Sequence, residues 1–172
     1  GLVYDRVERM TGMKDSFDMF YLRGKEPQEM KDIINAYILQ NESDFIIIDG
    51  IGDLCKNTND IEEARILKDW LMNITQDKNI HICCVLHVNY DSPKLRGHLG
   101  SELERKSEHV FLLARDGERS IVKPKLSRRK EYNEFWFDIV DGLPITDNVI
   151  PNKKFVPMQE VAPSYYETEI KE

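Results

Sequence analysis

An α/β fold is expected for this chain: a mostly parallel sheet flanked by helices, followed by C-terminal antiparallel strands. Three observations lead there. Residues 45–48 and 80–86 are nearly continuous apolar runs rather than alternating ones, the pattern of strands covered on both faces. Before and between these runs lie segments with apolar residues at helical spacing. After about residue 120 the periodicity shortens to two, as in antiparallel strands with one wet face.

Residues 3–10 have a helical pattern, and 18–22 read as a short strand ahead of Gly24 and Pro27. Residues 29–39 form an amphipathic helix, with Met30, Ile33, Ile34, Tyr37 and Ile38 along one stripe. The strand at 45–49 follows and ends abruptly in Asp49, Gly50 and Gly52. Asn59 or Asp60 then caps a helix to about residue 76, whose Ile61, Ala64, Leu67, Trp70, Leu71 and Ile74 share a face. Residues 80–86 are a second buried strand. A polar helix at 95–106 follows a glycine-containing loop, and 109–114 read as a third buried strand. Residues 120–126 and 134–140 form an antiparallel pair across a basic turn at 127–133, with Asp141-Gly142 ending the second strand. From about residue 148 the chain loses periodic signal and carries Pro151, Pro157 and Pro163. That leaves residues 1–147 as the folded domain and 148–172 as an extended or disordered tail.

With 172 residues, 41% of them hydrophobic, the chain can build the core of one ordinary domain. Its apolar runs fall far short of the roughly 20 residues that span a bilayer, and its N-terminus lacks a signal peptide's apolar region. The expectation is a cytoplasmic protein without a membrane partner. Cys55, Cys83 and Cys84 offer neither an even disulfide framework nor a CxxC pair, so reduced core residues and no zinc site are expected. A net charge of −7 argues against a protein that simply coats polyanions. Cations are nevertheless concentrated at Lys123, Lys125, Arg128, Arg129 and Lys130.

Asp49 emerges at the C-terminal edge of its strand, where open α/β sheets bind ligands, and a carboxylate there suits a Mg²⁺ beside a nucleotide's phosphates. Capping of the next helix is the plainer role for such an Asp. His87 and Asn89 end the second strand; if the two strands are parallel, they converge with Asp49 and can hydrogen-bond a terminal phosphate or attacking water. A His capping its loop is the bland alternative. Arg96 follows, and Gly97 and Gly100 would let backbone approach phosphates closely. Lys125, Arg128 and Arg129 lie at or beside a hairpin tip from which cations can reach a neighbouring subunit's nucleotide or nucleic-acid phosphates, unless they only solubilise the turn. No Ser-His-Asp arrangement, HExxH, GxSxG or glycosidase carboxylate pair is evident.

Taken in order, the Asp49 strand, the His87–Asn89 strand end, the Arg96-Gly97 loop, the 109–114 strand and the basic hairpin resemble the later half of RecA-like P-loop ATPases. The nearest likeness is to the RepA-type hexameric helicases of plasmids and related mobile-element ATPases, over residues 1–145. The resemblance implies that Asp49 is the Walker B aspartate, His87 the sensor, and Arg128 or Arg129 an intersubunit finger. It also implies ATP and Mg²⁺ as cofactors, DNA as a sequence-independent partner, and a homo-hexameric whole protein. One departure is large: no GxxxxGK[ST] loop is present to cradle phosphates, and the family's catalytic glutamate is missing. The chain then corresponds to the C-terminal part of a larger ATPase, not catalytic by itself. Loss of the Walker A strand should leave a sheet edge open beside residues 80–86, inviting dimerisation or rearrangement. The alternative is a non-catalytic oligomerisation or DNA-binding module that keeps the fold.

Overall fold

The computed structural model describes residues 17–90, 92–130 and 132–146. The expected helix at 3–10 and the tail from 148 lie outside them. Helix α1 (Pro27–Gln40) starts on a proline, whose missing N–H falls where a helix has no acceptor to offer. Its Met30 and Ile38 are buried, and the N–H of Asn41 closes the last turn on the Tyr37 carbonyl at 3.0 Å.

Strands β1 (Phe45–Asp49) and β2 (His81–Val85) pair in parallel, from Phe45 opposite His81 to Asp49 opposite Val85. Helix α2 (Ile61–Lys78) connects them, after a 3-10 turn at Ile51–Leu54. Asp60 is its N-cap, accepting from the Glu63 N–H at 2.9 Å. The Glu63 carboxylate in turn accepts from the N–H groups of Lys56 and Asn57 at 2.7 and 3.2 Å, so the cap also fixes the preceding loop. Asn79 ends α2 in the left-handed region at φ 51°. Helix α3 (Gly97–Lys106) completes the layer. Met30, Ile48, Ile51, Leu54, Ala64, Leu67, Leu71 and Leu99 form one buried cluster under these elements. The Trp70 indole also donates to Asn35 at 3.1 Å, linking α2 to α1.

The parallel sheet differs from the expected one in its covering. Ile46 and Ile48 of β1, with Ile82 and Cys84 of β2, face the core, whereas Phe45, Ile47, Cys83 and Val85 face away and are exposed, Ile47 at 62%. An unbroken apolar run cannot reveal that only one face has a helical partner among the described residues. Cys83 is therefore not a core residue. Cys84 is partly buried, and burial, with Cys83 beside it, pushes its thiol up to about 12, so it fills space as a protonated thiol. Burial, then the Glu63 charge, also raises the Cys55 thiol.

The remaining strands, β3 (His109–Asp116), β4 (Arg119–Ser127), β5 (Phe135–Val140) and β6 (Leu143–Ile145), form a separate antiparallel sheet in that order. Residues 109–114 are thus a strand, as expected, but not a third buried one: β3 pairs with β4, and most of its residues are exposed. Their apolar side chains mark a sheet face that nothing covers among the described residues. The Asp141-Gly142 pair does more than end β5. Both residues have positive φ (52° and 77°), the two-residue turn that folds β6 back on β5. Residues 18–22 form no strand; Phe20 packs edge-on against the Tyr37 ring at 4.8 Å, and Asp18 accepts from the Tyr37 hydroxyl, which raises the pKa of that phenol.

The molecule is mixed α/β, with a two-stranded parallel and a four-stranded antiparallel sheet. Among the described residues no helix is long and apolar enough to cross a membrane.

Candidate functional site

Parallel pairing of β1 with β2 sends both chains out at one edge. Asp49, exposed, ends β1 there. The next residues turn back sharply: a Cβ on Gly50 would lie 3.5 Å from the Val85 carbonyl oxygen, and Ile51 and Leu54 drop into the core. Asp49 therefore leaves a firmly anchored backbone and does not cap a helix, because Asp60 performs that task for α2.

Beyond β2 the chain forms a small closed loop. Val88 and Leu95 make an antiparallel bridge, the Arg96 N–H donates to the His87 carbonyl at 3.1 Å, and the Asn89 N–H donates to the Lys94 carbonyl at 2.9 Å. His87 and Arg96 are thus backbone neighbours, both exposed, with Asn89 half-buried at the loop's inner end. His87, Asn89 and Arg96 thus belong to the loop that follows β2, whose last residue Val85 pairs with Asp49.

The glycines of this region serve packing rather than phosphate approach. Gly97 has φ +70°, and a Cβ on it would meet the Thr58 carbonyl oxygen at 2.3 Å. A Cβ on Gly100 would lie 2.4 Å from that of Leu95. The Leu99 N–H donates to the Thr58 carbonyl at 3.0 Å and the Gly100 N–H to that of Arg96 at 3.1 Å. The Leu99 N–H is thereby spent on docking α3 and the Gly100 N–H on closing its first turn.

The cations of the basic hairpin are not brought to Asp49. Lys125 pairs with Glu104 at 2.7 Å, and Arg128 clasps the C-terminus of α3, its Nε donating to the Ser107 carbonyl at 2.8 Å and its Nη2 to that of Arg105. A guanidinium on the last carbonyls of a helix satisfies orphan acceptors and meets the negative end of the helix dipole. That end lies about 15 Å along α3 from Arg96, at 1.5 Å per residue. Within this chain Lys125 ties β4 to α3 through Glu104, and Arg128, the residue after β4, is engaged with the last carbonyls of α3. Arg129, exposed and in no ion pair among the described residues, stays available. An open groove of about 530 Å³ between α3 and β4 is lined by the same clasp residues and does not include Asp49.

Against ATP and Mg²⁺ the fit is partial. Among the described residues no group of three or more His, Cys, Asp or Glu gathers to hold a metal. Mg²⁺ takes one or two protein carboxylates and draws its other ligands from water and phosphates, a role Asp49 suits. A phosphate cradle is not among the backbone groups described.

Missed from sequence was a cluster of rings where β3 meets the basic turn. His109 lies 5.3 Å from Tyr132 and 6.2 Å from Phe111, centroid to centroid, and Phe111 lies 6.2 Å from Tyr132. The outward alternation of Phe111 and Leu113 was the available signal. Comparison of the chain with models of known protein families and with curated proteins gives no match in either case.

Proposed function

We propose that this chain is the Walker-B-bearing part of a RecA-like, DNA-associated ATPase of the helicase-like kind that serves plasmid replication or mobile elements. The reading rests on one observation above others: Asp49 and the His87–Asn89 segment leave adjacent parallel strands at the same edge. In it, Asp49 holds Mg²⁺, which when bound neutralises charge on the transferring phosphoryl group. His87 and Asn89 hydrogen-bond the terminal phosphate or orient the attacking water. Arg96 adds a cation at that edge, and Arg129 reaches across to a neighbouring subunit's nucleotide in a homo-oligomer, a hexamer for the whole protein. The phosphate cradle comes from a segment other than these residues, so the chain alone binds weakly and does not turn over ATP.

A second reading is a non-catalytic oligomerisation or DNA-binding module. Two features favour it: the Leu99 N–H beside Gly97 is spent on the Thr58 carbonyl, and the two-stranded sheet has outer edges with no strand partner among the described residues. Open edges recruit other strands, so a dimer of this chain is expected under either reading.

Calorimetric titration with Mg-ATP separates the two. Saturable binding abolished by Asp49→Asn is the expected outcome for the ATPase part. Binding that Asp49→Asn leaves unchanged would sink the assignment of Asp49.

A further inference from the structure

The side chains of β3, β4 and β5 divide between two faces, because residues opposite one another in an antiparallel ladder share a face. Phe111 stands opposite Pro124, Leu113 opposite Val122, and Val122 opposite Phe135. Arg115 and Ser120 are opposite, as are Ser120 and Phe137. None of these positions carries a carboxylate, in a chain of net charge −7. The other face holds Asp116 and Asp138, the latter 3.5 Å from Arg119.

This carboxylate-free face is also the aromatic one, and its rings are exposed around Val122, which lies between Leu113 and Phe135 and is itself buried. Phe111 is 43%, Phe135 43% and Leu113 69% exposed. Tyr132 flanks Phe111 from the end of the basic turn and is 47% exposed. His109 wedges beneath, its buried Nδ1 without a hydrogen-bond partner among the described residues. Cations stand at both ends of the rings: Arg115 on β3, and Arg129 and Lys130 at the turn, none of them in an ion pair among the described residues.

Exposed rings bordered by cations that pair with no carboxylate among the described residues suit a ligand with flat apolar groups hung on an anionic backbone. Single-stranded nucleic acid has that form, since every unpaired base offers a π-face while its phosphates remain outside. A duplex hides those faces in its own stack, and an apolar protein partner would not need the flanking cations. We infer that the Phe111–Tyr132 face of the antiparallel sheet binds single-stranded nucleic acid without sequence preference, by stacking bases on Phe111, Tyr132 and Phe135 and holding phosphates through Arg115, Arg129 and Lys130. This deepens the DNA-associated reading by naming the strand state and the surface, and it does not depend on the Asp49 edge.

The test is fluorescence anisotropy of the full chain with labelled oligo(dT) and with a duplex of equal length. The single strand binds more tightly, and its affinity falls as salt rises. Phe111→Leu and Tyr132→Leu keep an apolar side chain but remove the π-face; each weakens oligo(dT) binding about 10-fold, within the range measured for single stacking contacts. Arg129→Glu with Lys130→Glu weakens it further and flattens the salt dependence. Circular dichroism confirms that each variant is folded. Equal or tighter binding of the duplex overturns the inference. So does loss on charge reversal with no loss in the leucine variants, which reduces the surface to a phosphate contact. A sedimenting oligomer that Phe111→Leu dissolves overturns it too, by making the face a protein interface. Mg-ATP binding by the same chain reports separately on the Asp49 reading, so either can fail alone.

Discussion

Gly97→Ala lowers the stability of the fold by about 3 kcal/mol, with a drop in melting temperature of roughly 10 °C. Two causes add. At φ +70° any L side chain is strained, at about 1–2 kcal/mol. The new methyl would also sit 2.3 Å from the Thr58 carbonyl oxygen and 2.8 Å from its carbon, backbone atoms that cannot swing away. Relief requires lifting the first turn of α3, which breaks the Leu99 N–H bond to Thr58 and draws Leu99 from the core. Gly24→Ala isolates the first cause, because Gly24 has φ +87° but nothing within 4 Å of a new Cβ. Thermal unfolding of both variants should show a cost of about 1 kcal/mol at Gly24 and a clearly larger one at Gly97. Equal costs would mean that α3 is not docked on the Thr58 segment.

Leu67→Ala costs about 3 kcal/mol, within the 2–5 found when a buried leucine is truncated and its surroundings only partly collapse. Leu67 is 1% exposed in the cluster that joins α1, β1, α2 and α3. Leu39, at the end of α1, is 70% exposed, and its replacement by Ala should change stability by less than about 0.5 kcal/mol. Urea unfolding curves for the pair measure the contrast. Comparable losses at the two sites would contradict the placement of the core on one side of the parallel sheet.

The helices were legible because amphipathic spacing and caps are local. Pro27, Asp60 and the Met30–Ile38 stripe sit within a few residues of the turns they specify. Two similar apolar runs separated by a helix made parallel strands the condition of the reading, and β1 and β2 meet it. What covers those strands is set by elements distant in sequence, so Ile47 and Cys83 looked buried and are not. The same limit misplaced residues 109–114. At the candidate site, a common exit of Asp49 and the His87–Asn89 segment was conditional on parallel strands, and β1 and β2 do pair in parallel. The roles of Lys125 and Arg128 depended on Glu104 and on the α3 carbonyls, each 20 or so residues away with no spacing that announces them. Glycine chemistry was ambiguous for a related reason: a residue without a Cβ admits a phosphate or a neighbouring backbone equally, and here Thr58 and Leu95 take the space.

The central claim is that the common edge of β1 and β2 is a nucleotide–metal site organised around Asp49. Amide NMR of the isotopically labelled chain titrated with Mn²⁺-ATP tests it most directly, because a paramagnetic ion broadens only nearby signals and reports weak binding as well as strong. The account predicts that Gly50, His87 and Asn89 broaden first, that Gly117 and Gly142 in the turns of the antiparallel sheet do not, and that Asp49→Asn restores the lost signals. Broadening centred on another part of the chain, or unchanged by Asp49→Asn, would contradict it.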